Sequence, residues 1–240
     1  MTALLRYQSA ILLRSHRWIF PLIGYALLMS VGAAGSSSLA ETLDWSGAML
    51  VPVTAFLTRA MLTAEPDAAR ACVAAAAGPV RAQLATLLVP LGGAALLGLA
   101  AVVFDVLIAA PASREPVAGL FGKVTALAGH PGIVVAGLLI AFVCLLVGSA
   151  AGALCNPPLL RHPGVAMLST LAAIVVALAT SVSPASAAIS GGTSPAAANP
   201  LAVNWPGAGS VAGAVCLLAV AWTASAVLAA RRDRWTAGAE

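Results

Sequence analysis

Gly132-Ile-Val-Val-Ala-Gly-Leu-Leu-Ile-Ala-Phe-Val-Cys-Leu-Leu-Val-Gly-Ser-Ala-Ala-Gly-Ala-Leu-Cys155 contains neither a charged side chain nor a proline. As a helix rising about 1.5 Å per residue, it is long enough to cross the roughly 30 Å hydrocarbon core of a bilayer. The composition around it agrees. Of the 240 residues, 8% are charged and 61% hydrophobic, and mean hydropathy is +1.00; a soluble domain is about 25% charged and 45–50% apolar. Similar apolar runs give candidate spans at residues 18–38, 46–63, 84–109, 132–155, 164–183 and 210–230, some of them crossing only with flanking residues or with tilt. The runs lack the dyad alternation of a membrane barrel, and open strands leave backbone polar groups unpaired in lipid. The expected fold class is all-α, a polytopic membrane protein with six transmembrane helices forming one domain over residues 18–230.

Charge sets the orientation. Ten of the twelve Lys and Arg residues fall on one side of the six runs: Arg6, Arg14 and Arg17 before the first, Arg59, Arg70 and Arg81 around the second connection, Arg161 in the fourth, and Arg231, Arg232 and Arg234 in the tail. Only Arg114 and Lys123 lie on the other side. Positive residues in short loops stay in the cytoplasm, which places both termini inside, with residues 231–240 as a cytoplasmic tail. The net charge of +4 therefore belongs to membrane-facing loops and, without aromatic interleaving, does not point to nucleic acid. Residues 18–31 are not read as a cleaved leader, because a long amphipathic segment precedes them.

That segment, residues 1–17, puts Leu4, Leu5, Tyr7, Ile11, Leu12 and Trp18 on one side of a helical wheel and Arg6, Arg14 and Arg17 on the other, with Leu13 out of pattern. It suits a helix lying in the inner interface, anchored by its guanidinium groups among lipid phosphates; a plain basic flank is the alternative. In the second connection, residues 64–83, Glu65, Pro66 and Asp67 precede an alanine run that Gly78-Pro79 ends. Acids and a proline at the start and a glycine at the end describe a short capped helix, on which Asp67 and Arg70 are spaced to pair. Outside, Val117, Leu120, Phe121, Val124 and Leu127 recur at helical spacing, suggesting a short helix on the outer leaflet. The uncharged stretch 184–209 is open to two readings, a segment dipping back into the bundle or a flexible loop.

Chemistry at depth is sparse. Arg59 lies near the inner end of its span, where its stem reaches water. Asp105 lies near the outer end of the third span, either reaching the interface or touching a polar substrate on exit. His16, His130 and His162 sit in or beside loops, and Cys72, Cys144, Cys155 and Cys216 have no CxxC spacing, so neither a metal site nor a disulfide frame is expected. Gly148-Ser149 has no histidine base in any span, which weighs against a membrane serine protease. Gly148 and Gly152 instead form a GxxxG pair suited to close helix approach. No phosphate-cradling GxxxxGK[ST] loop occurs, and no repeated halves with buried acids mark an ion-driven transporter.

Together these features resemble the membrane subunit, or permease, of the ABC-2 type of ATP-binding cassette exporters. The resemblance is architectural over the whole chain, and in sequence is best at Leu57-Thr-Arg-Ala-Met-Leu-Thr-Ala-Glu-Pro-Asp-Ala-Ala-Arg70 through to Arg81-Ala-Gln83, which looks like versions of the family in high-GC bacteria. It implies a multi-pass protein of the bacterial plasma membrane with no catalytic residue, metal or cofactor of its own. Residues 1–17 would be the family's elbow helix, held at the inner surface by Arg6, Arg14 and Arg17. Glu65, Asp67, Arg70 and Arg81 would dock, on or beside a coupling helix, into a separate ATPase subunit that binds ATP and Mg. A second permease copy or paralogue would complete the conduit, and membrane lipids would surround it. The apolar spans favour a hydrophobic or amphiphilic small molecule as cargo, with Asp105 a candidate on its path. The alternative is a non-transporting assembly or anchoring protein of the membrane, and third an intramembrane enzyme.

Overall fold

The computed structural model describes residues 1–35, 39–108, 131–155, 162–193 and 205–237, and all regular structure among them is helical. The helices are α1 (Thr2–Ser15), α2 (Ile19–Gly35), α3 (Leu39–Leu62), α4 (Asp67–Ala77), α5 (Pro79–Ile108), α6 (Pro131–Leu154), α7 (Pro163–Ala179), α8 (Pro184–Thr193) and α9 (Ala208–Ala237). Their ends follow from local chemistry. His16 takes a left-handed conformation that stops α1. Gly78, at φ 87, lets the chain turn out of α4 in a conformation that a side chain disfavours. Pro79 and Pro163 then open α5 and α7 at the position where a missing N–H costs nothing. Pro52 and Pro90 lie inside α3 and α5, as membrane helices tolerate.

Helices α3 and α6 form the centre. Their span windows are 61% buried, against 22% for those over α7 and α9. Helices α2 and α5 flank α3; α9 lies against α6 and α5; α1 and α4 pack on α5. The α3–α6 contact is made backbone to backbone. A Cβ placed on Gly148 would lie 2.5 Å from the Val51 carbonyl oxygen, and one on Gly152 would lie 2.8 Å from that of Ala55. The expected GxxxG pair is thus the seam of the bundle. Large apolar side chains point outward around the perimeter, among them Phe20, Leu27, Leu96, Leu168, Val175 and Val220, as suits a molecule whose surrounding solvent is hydrocarbon.

Five stretches are long and apolar enough to cross a membrane: Glu41–Leu62, Pro79–Val106, Gly132–Leu154, Gly164–Ser190 and Ala208–Ala230. The chain is therefore an all-helical protein of membrane-spanning type. The first expected span is apolar but shorter, since the 17 residues of α2 rise only about 25 Å. Helix α3 begins at Leu39, upstream of the expected 46, so that Glu41 stands exposed and Asp44 buried in its first turns. Helix α7 stops at Ala179, where Thr180 is extended, and Pro184 starts α8, which returns against α3, α6, α7 and α9 with Ala185 and Ala188 fully buried. Of the two readings for the last outer stretch, its first part follows the return into the bundle. The expected outer helix around Val117–Leu127, Arg161, and the side chains of Arg231, Arg232 and Arg234 lie outside the described residues.

Candidate functional site

The densest polar construction among the described residues is the corner where α3 turns into α4. Helix α3 ends with free carbonyls, as every helix does. Arg70 Nη2 donates to the Leu62 carbonyl at 2.6 Å and to that of Glu65 at 3.4 Å, while Arg17 Nη1 donates to the Thr63 carbonyl at 2.8 Å and to its hydroxyl oxygen at 3.4 Å. Two guanidinium groups, one from each side of α3 in the sequence, thus cap its negative end.

Glu65 joins this corner to α1. Its Oε1 accepts from the Tyr7 hydroxyl at 3.1 Å and its Oε2 from Gln8 Nε2 at 3.2 Å. Glu65 is 6% exposed and Gln8 1%, so the carboxylate faces α1 and is not presented to a partner. This revises the expected arrangement for Glu65. The N-terminal end of α4 favours an acid there, but two donors from α1 claim it. Burial, followed by the bond to Glu65 and the charge of its carboxylate, raises the Tyr7 phenol above its ordinary 10.0. Arg70 likewise points back at the corner, and the Asp67 side chain, its expected partner, lies outside the described ones.

What α4 shows to the surroundings is different. Ala68, Ala71, Cys72, Ala75 and Ala76 are exposed along one side, continued by Val80 and Arg81. These positions follow i, i+3, i+4, i+7 and i+8, a single helical stripe of small side chains. Among the expected docking residues whose side chains are described, Glu65 is buried, Arg70 half-buried and Arg81 in this exposed set. Arg6, Arg14 and Arg17 are all exposed, as inner-surface anchoring requires, although Arg17 is also engaged at the corner.

Asp105 does not reach the interface. It is fully buried on α5, and neither carboxyl oxygen has a hydrogen-bond partner. Ser46 lies beside it, but the Ser46 hydroxyl donates to the Leu43 carbonyl at 3.0 Å and Tyr25 from α2 donates to the Ser46 carbonyl at 3.2 Å. Sequence reasoning missed Asp44, which is 5% exposed with Oδ2 unpaired; hydropathy placed it in a loop, and the early start of α3 buries it. It also missed Tyr7 and Gln8. The available signal was Gln8 itself, a polar residue one helical turn from both Leu4 and Leu12 on the apolar side of α1.

Compared with family models, with curated proteins and with solved structures, the chain matches none. Any functional reading therefore stands on the arrangement just described. Among the described residues no group of three or more His, Cys, Asp and Glu side chains is placed to hold a metal ion.

Proposed function

We propose that this chain is the membrane subunit of an ABC-2 type exporter, moving a hydrophobic or amphiphilic small molecule across the plasma membrane with ATP hydrolysed by a separate subunit. The observation that carries this reading is the α3–α4 corner. A short helix outside the spans, rigidly capped onto the end of the central helix and exposing a smooth stripe, has the form of a part that receives force from a partner. The amphipathic α1 in front of the spans and the short α8 returning to the bundle support the same reading. So does the basic character of the corner side, which fits a cytoplasmic face.

In this scheme α2 completes the sixth crossing with flanking residues, and two copies, or one copy and a paralogue, enclose the path. The partner ATPase grips α4 through Ala71, Cys72 and Ala75, whose small side chains let a groove close tightly on the helix, and through Arg81. Glu65 and Arg70 act from behind as positioning residues that keep α4 in register with α3. ATP-driven closure of the partner then shifts α4, and the corner passes the shift to α1 and α3 as a rigid-body change between two states.

Co-purification with a P-loop ATPase encoded beside this chain tests the reading. Ala71→Glu together with Ala75→Glu should abolish the complex while leaving the amount of protein in the membrane unchanged. An ATPase that still co-purifies at the same ratio refutes α4 as the docking element; the absence of ATPase binding by the unaltered chain refutes the exporter reading as a whole.

A further inference from the structure

A cleft of about 430 Å³ runs between α2 and α3. The two helices are antiparallel there, since Arg17 reaches Thr63 and Trp45 Nε1 reaches the Leu28 carbonyl. One end of the cleft is polar. Arg17, Arg59 and Thr63 line it, Thr63 sitting one turn past Arg59, to whose carbonyl its N–H is bonded. The remainder is apolar, with Phe20, Leu28, Pro52 and Phe56 on its walls, and none of the described residues that line it is acidic.

The length of the apolar part is informative. From Thr63 back to Pro52, α3 rises about 16 Å, close to half the roughly 30 Å hydrocarbon thickness. The cleft therefore has two guanidinium groups at interface level and an apolar trough one leaflet deep. Arginine is suited to bidentate contact with phosphate, and Arg17 commits only Nη1 to Thr63, leaving its other donors for a head group. At Gly24 the cleft wall is bare. A Cβ there would meet nothing within 4 Å.

We infer that this cleft is a binding site for one anionic phospholipid of the leaflet facing the corner, with its phosphate on Arg17 and Arg59 and one acyl chain lying along Phe20, Phe56 and Leu28. The inference is independent of the exporter reading, because it needs only that the helices stand in a membrane. It gives Arg59 a role beyond reaching water and separates Arg17 from Arg6 and Arg14, which do not line the cleft.

The test uses the full chain in nanodiscs of phosphatidylcholine containing phosphatidylglycerol, with retained lipids counted by native mass spectrometry. The unaltered protein should keep one phosphatidylglycerol in preference to phosphatidylcholine. Arg17→Gln with Arg59→Gln should lower that preference by about tenfold or more, whereas Arg6→Gln with Arg14→Gln should leave it in place. Gly24→Leu fills the trough without touching a charge and should also expel the lipid. It decides the matter if the arginine variants fold poorly. Equal retention of both lipids, an equal loss in the Arg6/Arg14 variant, or full retention in Gly24→Leu would each overturn the site. Displacement by soluble glycerol phosphate as readily as by phosphatidylglycerol would assign the arginines to a free phosphate and remove the role of the trough.

Discussion

Replacing Gly148 by alanine separates packing from helix propensity at the seam between α3 and α6. The added Cβ would lie 2.5 Å from the Val51 oxygen, 3.0 Å from the Thr54 Cβ and 3.1 Å from the Val51 Cα, whereas nonbonded carbon atoms prefer about 3.5–4.0 Å. Two of these three neighbours are backbone, which cannot rotate away. The helices must part by roughly 1 Å, a gap at which dispersion contacts forfeit a quarter to a half of their depth. Overpacking of this kind costs about 1–3 kcal/mol. Alanine also gains about 1 kcal/mol of helix propensity over glycine, so the comparison is with Gly92→Ala, where a Cβ meets nothing within 4 Å. Propensity cancels between the two variants, and Gly148→Ala should be the less stable by about 1–3 kcal/mol. Adding Gly152→Ala should cost less than its effect alone, because one separation relieves both sites. Unfolding in detergent micelles, followed by circular dichroism, measures the unaltered protein, the three single variants and the double variant. Equal stability of Gly148→Ala and Gly92→Ala would refute the backbone contact.

Four further outcomes are expected. Glu65→Ala strands the buried Gln8 amide and should destabilise by about 1–3 kcal/mol, whereas adding Gln8→Leu should restore most of the loss; thermal unfolding of the single and double variants checks this. The raised Tyr7 pKa means that the folded state holds the phenolic proton more tightly than the unfolded state. The contact's contribution is thus intact below about pH 10 and fades as pH rises through the folded value, so Tyr7→Phe should flatten the alkaline limb of a stability–pH curve. Asp105→Asn removes an ionisable group that has no hydrogen-bond partner and should leave the melting temperature unchanged or higher; a clear fall would reveal an ionic partner. Cys72 is exposed on α4 and Cys144 buried, while Cys216 is exposed and Cys155 partly so; in a variant with Cys155→Ala and Cys216→Ala, a membrane-impermeant maleimide should label Cys72 only after cells are permeabilised, and labelling in intact cells would reverse the orientation deduced from charge.

Local pattern carried the reading a long way where it was strong. Both ends of α6, the C-terminal end of α5 and the N-terminal end of α9 lie close to the edges of their apolar runs, whereas α5 starts earlier, at Pro79, and α9 runs on to Ala237; α4 starts at the acid Asp67 and ends at the Gly78-Pro79 stop. The glycine pair read as a close-approach motif is the tightest contact between the two central helices. The early start of α3 was hidden because Glu41 and Asp44 lower hydropathy to that of a loop. The fifth span is expected to reach 183 but α7 stops at Ala179, where Thr180 is extended, and composition alone does not tell that the stretch from Pro184 is a helix turning back on the bundle. The inward orientation of Glu65 depends on Tyr7 and Gln8, whose separation from it in sequence is 58 and 57 residues. Neither periodicity nor capping rules report contacts at that range, and the exposed stripe of alanines on α4 is ordinary helix-forming composition until its neighbours are known.

The glycine seam also governs how the bundle can deform. Gly148 and Gly152 leave a channel along the face of α6, and Val51, Thr54, Ala55 and Thr58 of α3 are seated in it. Sideways displacement of α3 meets the channel walls, and lengthwise movement is checked farther along the seam, where the Ile140 side chain lies over Gly47 and the Leu43 side chain over Gly137, each within 2.9 Å of where a Cβ would stand. Because the lower end of α3 is bolted to α1 and α4 through Arg17, Arg70 and Glu65, the seam and the corner together tie α1, α3, α4 and α6 into one stiff unit.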